Sequence, residues 1–191
     1  MKITKRQLKR IIREEVNRAR APQRRRPCRL HEVTISQAGL NQVLEQHSLW
    51  LQTGGAQGER ADLSGVDLSY ANLSQANLSQ ANLSRAWLTG ADLSGASLTG
   101  ANLSRAQLFR ADLSQTSLTD ADLTGANLSR ADLSGAQLTD ADLTDAWLSD
   151  ADLSDADLSD ADLSHTQLSR ADLTGANLSG AKGLNTVKGY K

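Results

Sequence analysis

The stretch Ala91-Asp92-Leu93-Ser94-Gly95-Ala96-Ser97-Leu98-Thr99-Gly100 holds two units of one pattern that runs from Ala61 to Ala181 with a period of five. The central residue is Leu at every step from Leu63 to Leu178, 24 leucines in all. Five steps along an α-helix rotate by ~500°, so successive leucines would stand ~140° apart and form no apolar stripe. On a continuous strand an odd period sends them to opposite faces in turn. The chain must therefore turn once per pentad. The residue two before each Leu is Ala, except at Val66, Thr116 and Thr166, so these two positions share the inward side and the other three point out. The outward positions are Asp, Asn or another mostly polar residue before the Leu, Ser or Thr after it, and Gly, Asp, Arg or Gln at the bend. Gly and Asp suit a turn.

This pattern resembles the pentapeptide-repeat family, whose unit reads Ala-(Asp/Asn)-Leu-Xaa-Xaa. The resemblance implies an all-β fold, a right-handed four-sided β-helix with four pentads per coil, so the 24 units of residues 61–181 make about six coils. At ~4.8 Å per rung such a rod is roughly 29 Å long. Leucines would stack in four columns with alanines between them, each buried Leu contributing ~1.5–3 kcal/mol.

Residues 30–60 read as an N-terminal cap, with a helix over about 36–52 that carries Leu40, Val43, Leu44 and Leu51 on one side. A solenoid end needs a cover, because an open coil exposes core and unpaired edges. His47 and Trp50 are expected to belong to that packing. Gly54, Gly55 and Gly58 form the loop into the first pentad, and residues 182–191 read as a short basic tail.

Residues 1–29 form a basic arm with 12 Lys or Arg against two Glu. Thr4 and Gln7 form a capping-box pattern, and Leu8, Ile11, Ile12 and Val16 have helical spacing until Pro22 and Pro27. The basic side chains are Lys5, Arg6, Lys9, Arg10 and Arg13, then Arg24, Arg25 and Arg26. Such an arm can anchor the rod to nucleic acid or an anionic membrane, or simply keep it soluble. The lone Cys28 permits no intrachain disulfide, and its arginine neighbours favour the thiolate. Neither an apolar run of ~18 residues nor a signal peptide with an apolar centre is present, so the expected location is cytoplasmic.

Sorting the pentads by fours places Tyr70, Trp87, Phe109 and Trp147 on one side of the rod together with Arg110, Arg130 and Arg170. Aromatic and Arg enrichment marks protein interfaces, so this side is a candidate docking face for a partner protein or a second copy in a homodimer. Isolated exposed aromatics also occur without function. Acidity is concentrated from 141 to 160, where Asp142, Asp145, Asp150, Asp152, Asp155, Asp157 and Asp160 form a belt with no basic residue in the same segment. Down another side Asp92, Asp112, Asp132, Asp152 and Asp172 should stand in a ladder, where repulsion at ~4.8 Å is expected to raise some carboxyl pKa values or attract cations.

Catalysis finds no support. Ser and Asp recur as repeat filler, three histidines are scattered, and Gly54-Gly55-Ala56-Gln57-Gly58 lacks the Lys and Ser or Thr of a phosphate loop. No cofactor, metal or small-molecule substrate is expected. The chain reads instead as a non-catalytic interaction scaffold. An alternative follows from the family's quinolone-resistance members, which resemble duplex DNA and bind DNA gyrase. About 29 Å of duplex carries roughly 17 charges. Residues 61–191 hold 17 acidic but also 8 basic residues, with the acidity concentrated in one segment and no large aromatic near the last pentads.

Overall fold

The computed structural model describes residues 33–189. The basic arm, Cys28 and His31 lie outside the described residues. Three regular elements occur among the described residues: β1 (Val33–Thr34), α1 (Gln37–Gln52) and β2 (Val66–Asp67), with β1 parallel to β2 in the register Val33↔Val66 and Thr34↔Asp67. From Asp62 onward the chain winds as a β-helix of single-residue parallel bridges. Every bridge before the last, Gln167↔Lys188, joins positions 20 residues apart, as in Asp92↔Asp112 and Asn82↔Asn102, so four pentads make one coil.

The hydrogen bonding explains why a five-residue unit closes. In each interior pentad the Leu N–H and the fifth-residue N–H donate to the next coil, as Leu93 to Asp112 and Gly95 to Ser114. The second-position N–H donates to the previous coil, as Asp92 to Ala71, and the next Ala closes the turn, as Ala96 N–H to Leu93 C=O at 2.9 Å. The fourth-position N–H is left, and the Asp or Asn two residues earlier accepts it. Ser94 N–H lies 3.0 Å from Asp92 Oδ1, with the Ser94 hydroxyl at 2.7 Å on the same oxygen. Such local Asx bonding is a turn device. Asp-Leu-Ser is therefore a functional part of the corner and not filler.

The fifth residue of every unit from Gly65 to Gly180 has φ between 56° and 75°. That is the third position of a type II turn, which favours Gly. Here it is also occupied by Arg, Gln, Asp, Tyr and His, as at Arg105 (φ 58°) and Gln80 (φ 61°).

Leu63 to Leu168 are all buried, none more than 3% exposed, while Leu173 and Leu178 are partly buried. Thr116 and Thr166 replace inward Ala and are fully buried, and each hydroxyl donates to a backbone carbonyl, Thr116 to Leu93 at 3.0 Å and Thr166 to Leu163. The winding continues beyond the last pentad, because Lys182 bridges Asp162 and Lys188 bridges Gln167. The additional residue in this last stretch is absorbed where Thr186 Oγ1 accepts the His165 N–H and Val187 packs on the core. The segment read as a tail is thus partly wound onto the rod.

Helix α1 starts at Ser36, whose Oγ accepts the Gly39 N–H at 3.2 Å, and ends at Thr53, whose hydroxyl donates to Leu49 C=O at 2.7 Å. Leu40 and Val43 join the same buried cluster as Leu63. His47 is fully buried against the first coil. Its Nδ1 accepts the Ala61 N–H at 3.1 Å, which leaves Nε2 to donate to Ser79 C=O at 3.0 Å. Trp50 stacks on it with ring centroids 5.8 Å apart. Gly58 lets the exit loop cross the helix: a Cβ there would sit 2.2 Å from Gln46 C=O.

Candidate interaction face

The 20-residue coil assigns the expected aromatic and Arg residues to the column headed by Leu68. Bridges run through Asp67, Trp87, Gln107, Asn127, Trp147 and Gln167 along its middle. The corner at its far edge carries Tyr70, Gly90, Arg110, Arg130, Asp150 and Arg170. Trp147 is 51% exposed and Trp87 38%, and Tyr70 is 80% exposed with its ring lying over Gly90, where a Cβ would come within 2.7 Å. Phe109 is partly buried beneath two guanidinium groups, Arg110 at 5.2 Å and Arg130 at 5.9 Å from its centroid. Arg170 holds Asp150 by a two-pronged contact at 2.6 and 2.8 Å, and Arg130 approaches it at 3.7 Å. The Arg170 hydrogen bond is the main reason that the Asp150 carboxyl lies below its ordinary range.

Sequence reasoning missed the near edge of this face. Arg85 and Arg105 occupy the preceding corner, immediately before Ala86-Trp87 and Ala106-Gln107, and line an open groove with Ser84, Ser104 and Asn102. All five arginines of the repeats therefore border the Leu68 face. The signal was available, since corner residues align at the same 20-residue interval as the leucines.

The two tryptophans also depart from the local rule. All 17 Asp and Asn residues in the second position of the 24 units accept the N–H two residues on, from Asp62 with Ser64 to Asn177 with Ser179. Trp87 and Trp147 cannot make that bond. Large exposed aromatics stand where the fold itself favours a short polar acceptor.

The acidic belt does not converge. Asp142, Asp152 and Asp157 each serve their own corner by accepting from Thr144, Ser154 and Ser159. Asp155 and Asp160 lean over Gly175 and Gly180, Asp145 stands at the near corner of the Leu68 face, and Asp150 is engaged by arginines from the adjacent coils. Among the described residues no group of three His, Cys, Asp or Glu is placed to hold a metal ion. The ladder Asp92, Asp112, Asp132, Asp152 and Asp172 is present as adjacent rungs. The expected upward titration is corrected at two of its members. Asp92 and Asp172 lie below their ordinary range, because the hydroxyl and N–H of Ser94 and Thr174 stabilise the carboxylates. No helix among the described residues is long and apolar enough to cross a membrane.

Comparison with known proteins places this geometry in context. The family model for pentapeptide repeats matches residues 54–80, 76–115, 116–155 and 151–182, in eight copies. Similar solved structures include the pentapeptide repeat protein Rfr23 from the cyanobacterium Cyanothece 51142, 33% identical over 53% of this chain and 63% of that one, TM-score 0.33. A pentapeptide repeat protein of the Arabidopsis thaliana thylakoid lumen is 35% identical over 53% of this chain and 63% of its own, TM-score 0.35. HetL, from the cyanobacterium Nostoc sp. strain PCC 7120, is 39% identical over 64% of this chain and 66% of its own, TM-score 0.25. The chain spans 63% of the length of the first two. No curated protein matches it. With the repeat unit, the four-pentad coil and the family model in agreement over residues 54–182, the chain belongs to the pentapeptide-repeat family.

Proposed function

We propose that this chain is a non-catalytic scaffold, a rod of six coils covered at its first coil by α1, that docks a protein through the Leu68 face. The observation that carries the reading is the pair Trp87 and Trp147, exposed aromatics in slots where Asp or Asn would complete the corner. Trp, Tyr and Arg are enriched among the few residues that carry most of the binding energy in protein interfaces. Their placement against the preference of the fold is what a surface kept for binding looks like. The arginines on both edges favour a partner with acidic groups, and they also oppose the gyrase alternative, since a mimic of duplex DNA would be negative all round.

A photo-crosslinking residue at position 87, with a control at Gln137 on the opposite face, tests this in the full chain in native extract. The expected result is a discrete adduct from 87 and none from 137. Equal labelling from both positions, or none from either, overturns it.

A further inference from the structure

Resting on that reading of the face, we propose that its occupant is a second copy of the chain, laid antiparallel and centred midway between Gln107 and Asn127, so that Trp87 of each copy meets Trp147 of the other. The order of residues along the face carries the argument. Trp87 and Trp147 lie one rung outside Gln107 and Asn127 respectively, so they are equidistant from that midpoint. A two-fold axis crossing the rod there exchanges them, and a two-fold interface must be self-complementary in this way.

The same axis matches each corner column with itself in reverse. On the near edge Arg85 comes opposite Asp145, twice per dimer. On the far edge Tyr70 comes opposite Arg170, a pairing suited to cation–π contact, and Asp150 comes opposite Gly90, over which the Tyr70 ring lies. The unfavourable meeting is Arg110 with Arg130. Both of these guanidinium groups already sit against Phe109, and Arg130 is 3.7 Å from Asp150, which lessens the repulsion.

Parallel packing does worse, because its two-fold axis would set Arg105 against Arg110 and Asp145 against Asp150. An antiparallel register shifted by one rung would pair Arg105 with Asp145 but place Trp87 on Gln167 and Trp147 on Gln107. That leaves both tryptophans without aromatic partners. The chain's own arm is a poor occupant, since its 12 Lys or Arg would lie along five arginines.

Exchange of charges between Arg85 and Asp145 tests the register without endangering the fold, because Asp and Arg both occur at equivalent corners, as at Asp120 and Arg105. Dissociation of the full chain is measured by light scattering and sedimentation for the parent protein, Arg85→Asp, Asp145→Arg and the double exchange. The expected result is a dimer that each single change weakens by about tenfold or more, and that the double change restores to within about threefold. A parent chain that stays monomeric to millimolar concentration overturns the inference; an adduct of position 87 with another protein would then leave the docking face standing. A dimer broken by Trp87→Asn but unmoved by either single charge change overturns the antiparallel register alone. Rescue of Asp145→Arg by Arg105→Asp instead of Arg85→Asp assigns the shifted register and equally overturns the one proposed.

Discussion

Ser114 shows at the scale of one residue how the unit is closed. Its N–H and hydroxyl both reach Asp112 Oδ1, at 2.9 and 2.6 Å. Asp112→Ala should cost about 0.5–1.5 kcal/mol, while Asp112→Asn, which keeps that oxygen, should cost much less. Urea midpoints of both variants check this, and an equal loss in the two would refute the Asx account. The corner residue offers a second probe. At Gly100, φ is 63° and an added Cβ meets only Gln80 Cγ at 3.7 Å, so a substitution there reports backbone strain with little steric interference. Gly100→Ala should lower stability by about 1 kcal/mol, and Gln80→Gly should raise it by a few tenths, the unfolded chain taking back part of the gain. Thermal denaturation of the pair measures both signs; a stabilising Gly100→Ala would contradict the turn assignment.

Helix α1 joins the rod through a titratable group. Burial holds the His47 pKa below 6.5, and nearby Arg60 pushes the same way against the opposing pull of the Ser79 carbonyl. The unfolded ring takes up a proton as pH falls through about 6.5, whereas the folded ring stays neutral. Stability is therefore complete above that pH and declines as pH falls from there toward the folded pKa. The carboxylates of Asp92, Asp157 and Asp162 are also depressed by Ser hydroxyls, and their contribution is lost only as pH falls below the usual 3.8. The His47 decline therefore sets in at the higher pH. Unfolding midpoints at about pH 7.5 and about pH 5 should differ for the parent chain and coincide for His47→Ala, which should also lose about 2–4 kcal/mol by leaving a cavity and orphaning Ala61 N–H and Ser79 C=O. A parent chain with the same midpoint at both pH values would show that His47 titrates normally.

For the whole molecule, the period of Leu63 to Leu178 made the coil legible because every central inward position is Leu and nearly every other inward position is Ala. The edges of the docking face were less legible. Arg85 and Arg105 look like ordinary polar corner residues until four pentads close one turn and bring them beside Trp87 and Gln107. The Arg130–Asp150–Arg170 contact likewise joins residues 20 apart that no local window connects. The left-handed corners were hidden for another reason: a turn imposed by the hydrogen bonds of both neighbouring coils tolerates Arg, Gln or Tyr where an isolated turn would select Gly. If neighbouring coils supply that support, stability should vary along the rod in the manner of nearest-neighbour repeats. Leu113 and Leu118 are fully buried with coils on both sides, whereas Leu173, Leu178, Ala176 and Ala181 are only partly covered. Amide exchange should therefore be slowest near Leu113 to Leu138 and fastest over residues 171–181, with intermediate rates toward Ala61, where α1 lies against the first coil. His47→Ala should accelerate exchange at Ala61 and Leu63 while leaving Leu173 unchanged, because only the first coil loses its contact. Uniform rates from end to end, or equal acceleration at both ends in that variant, would show that the rod opens as a single unit and that its corners are not held coil by coil.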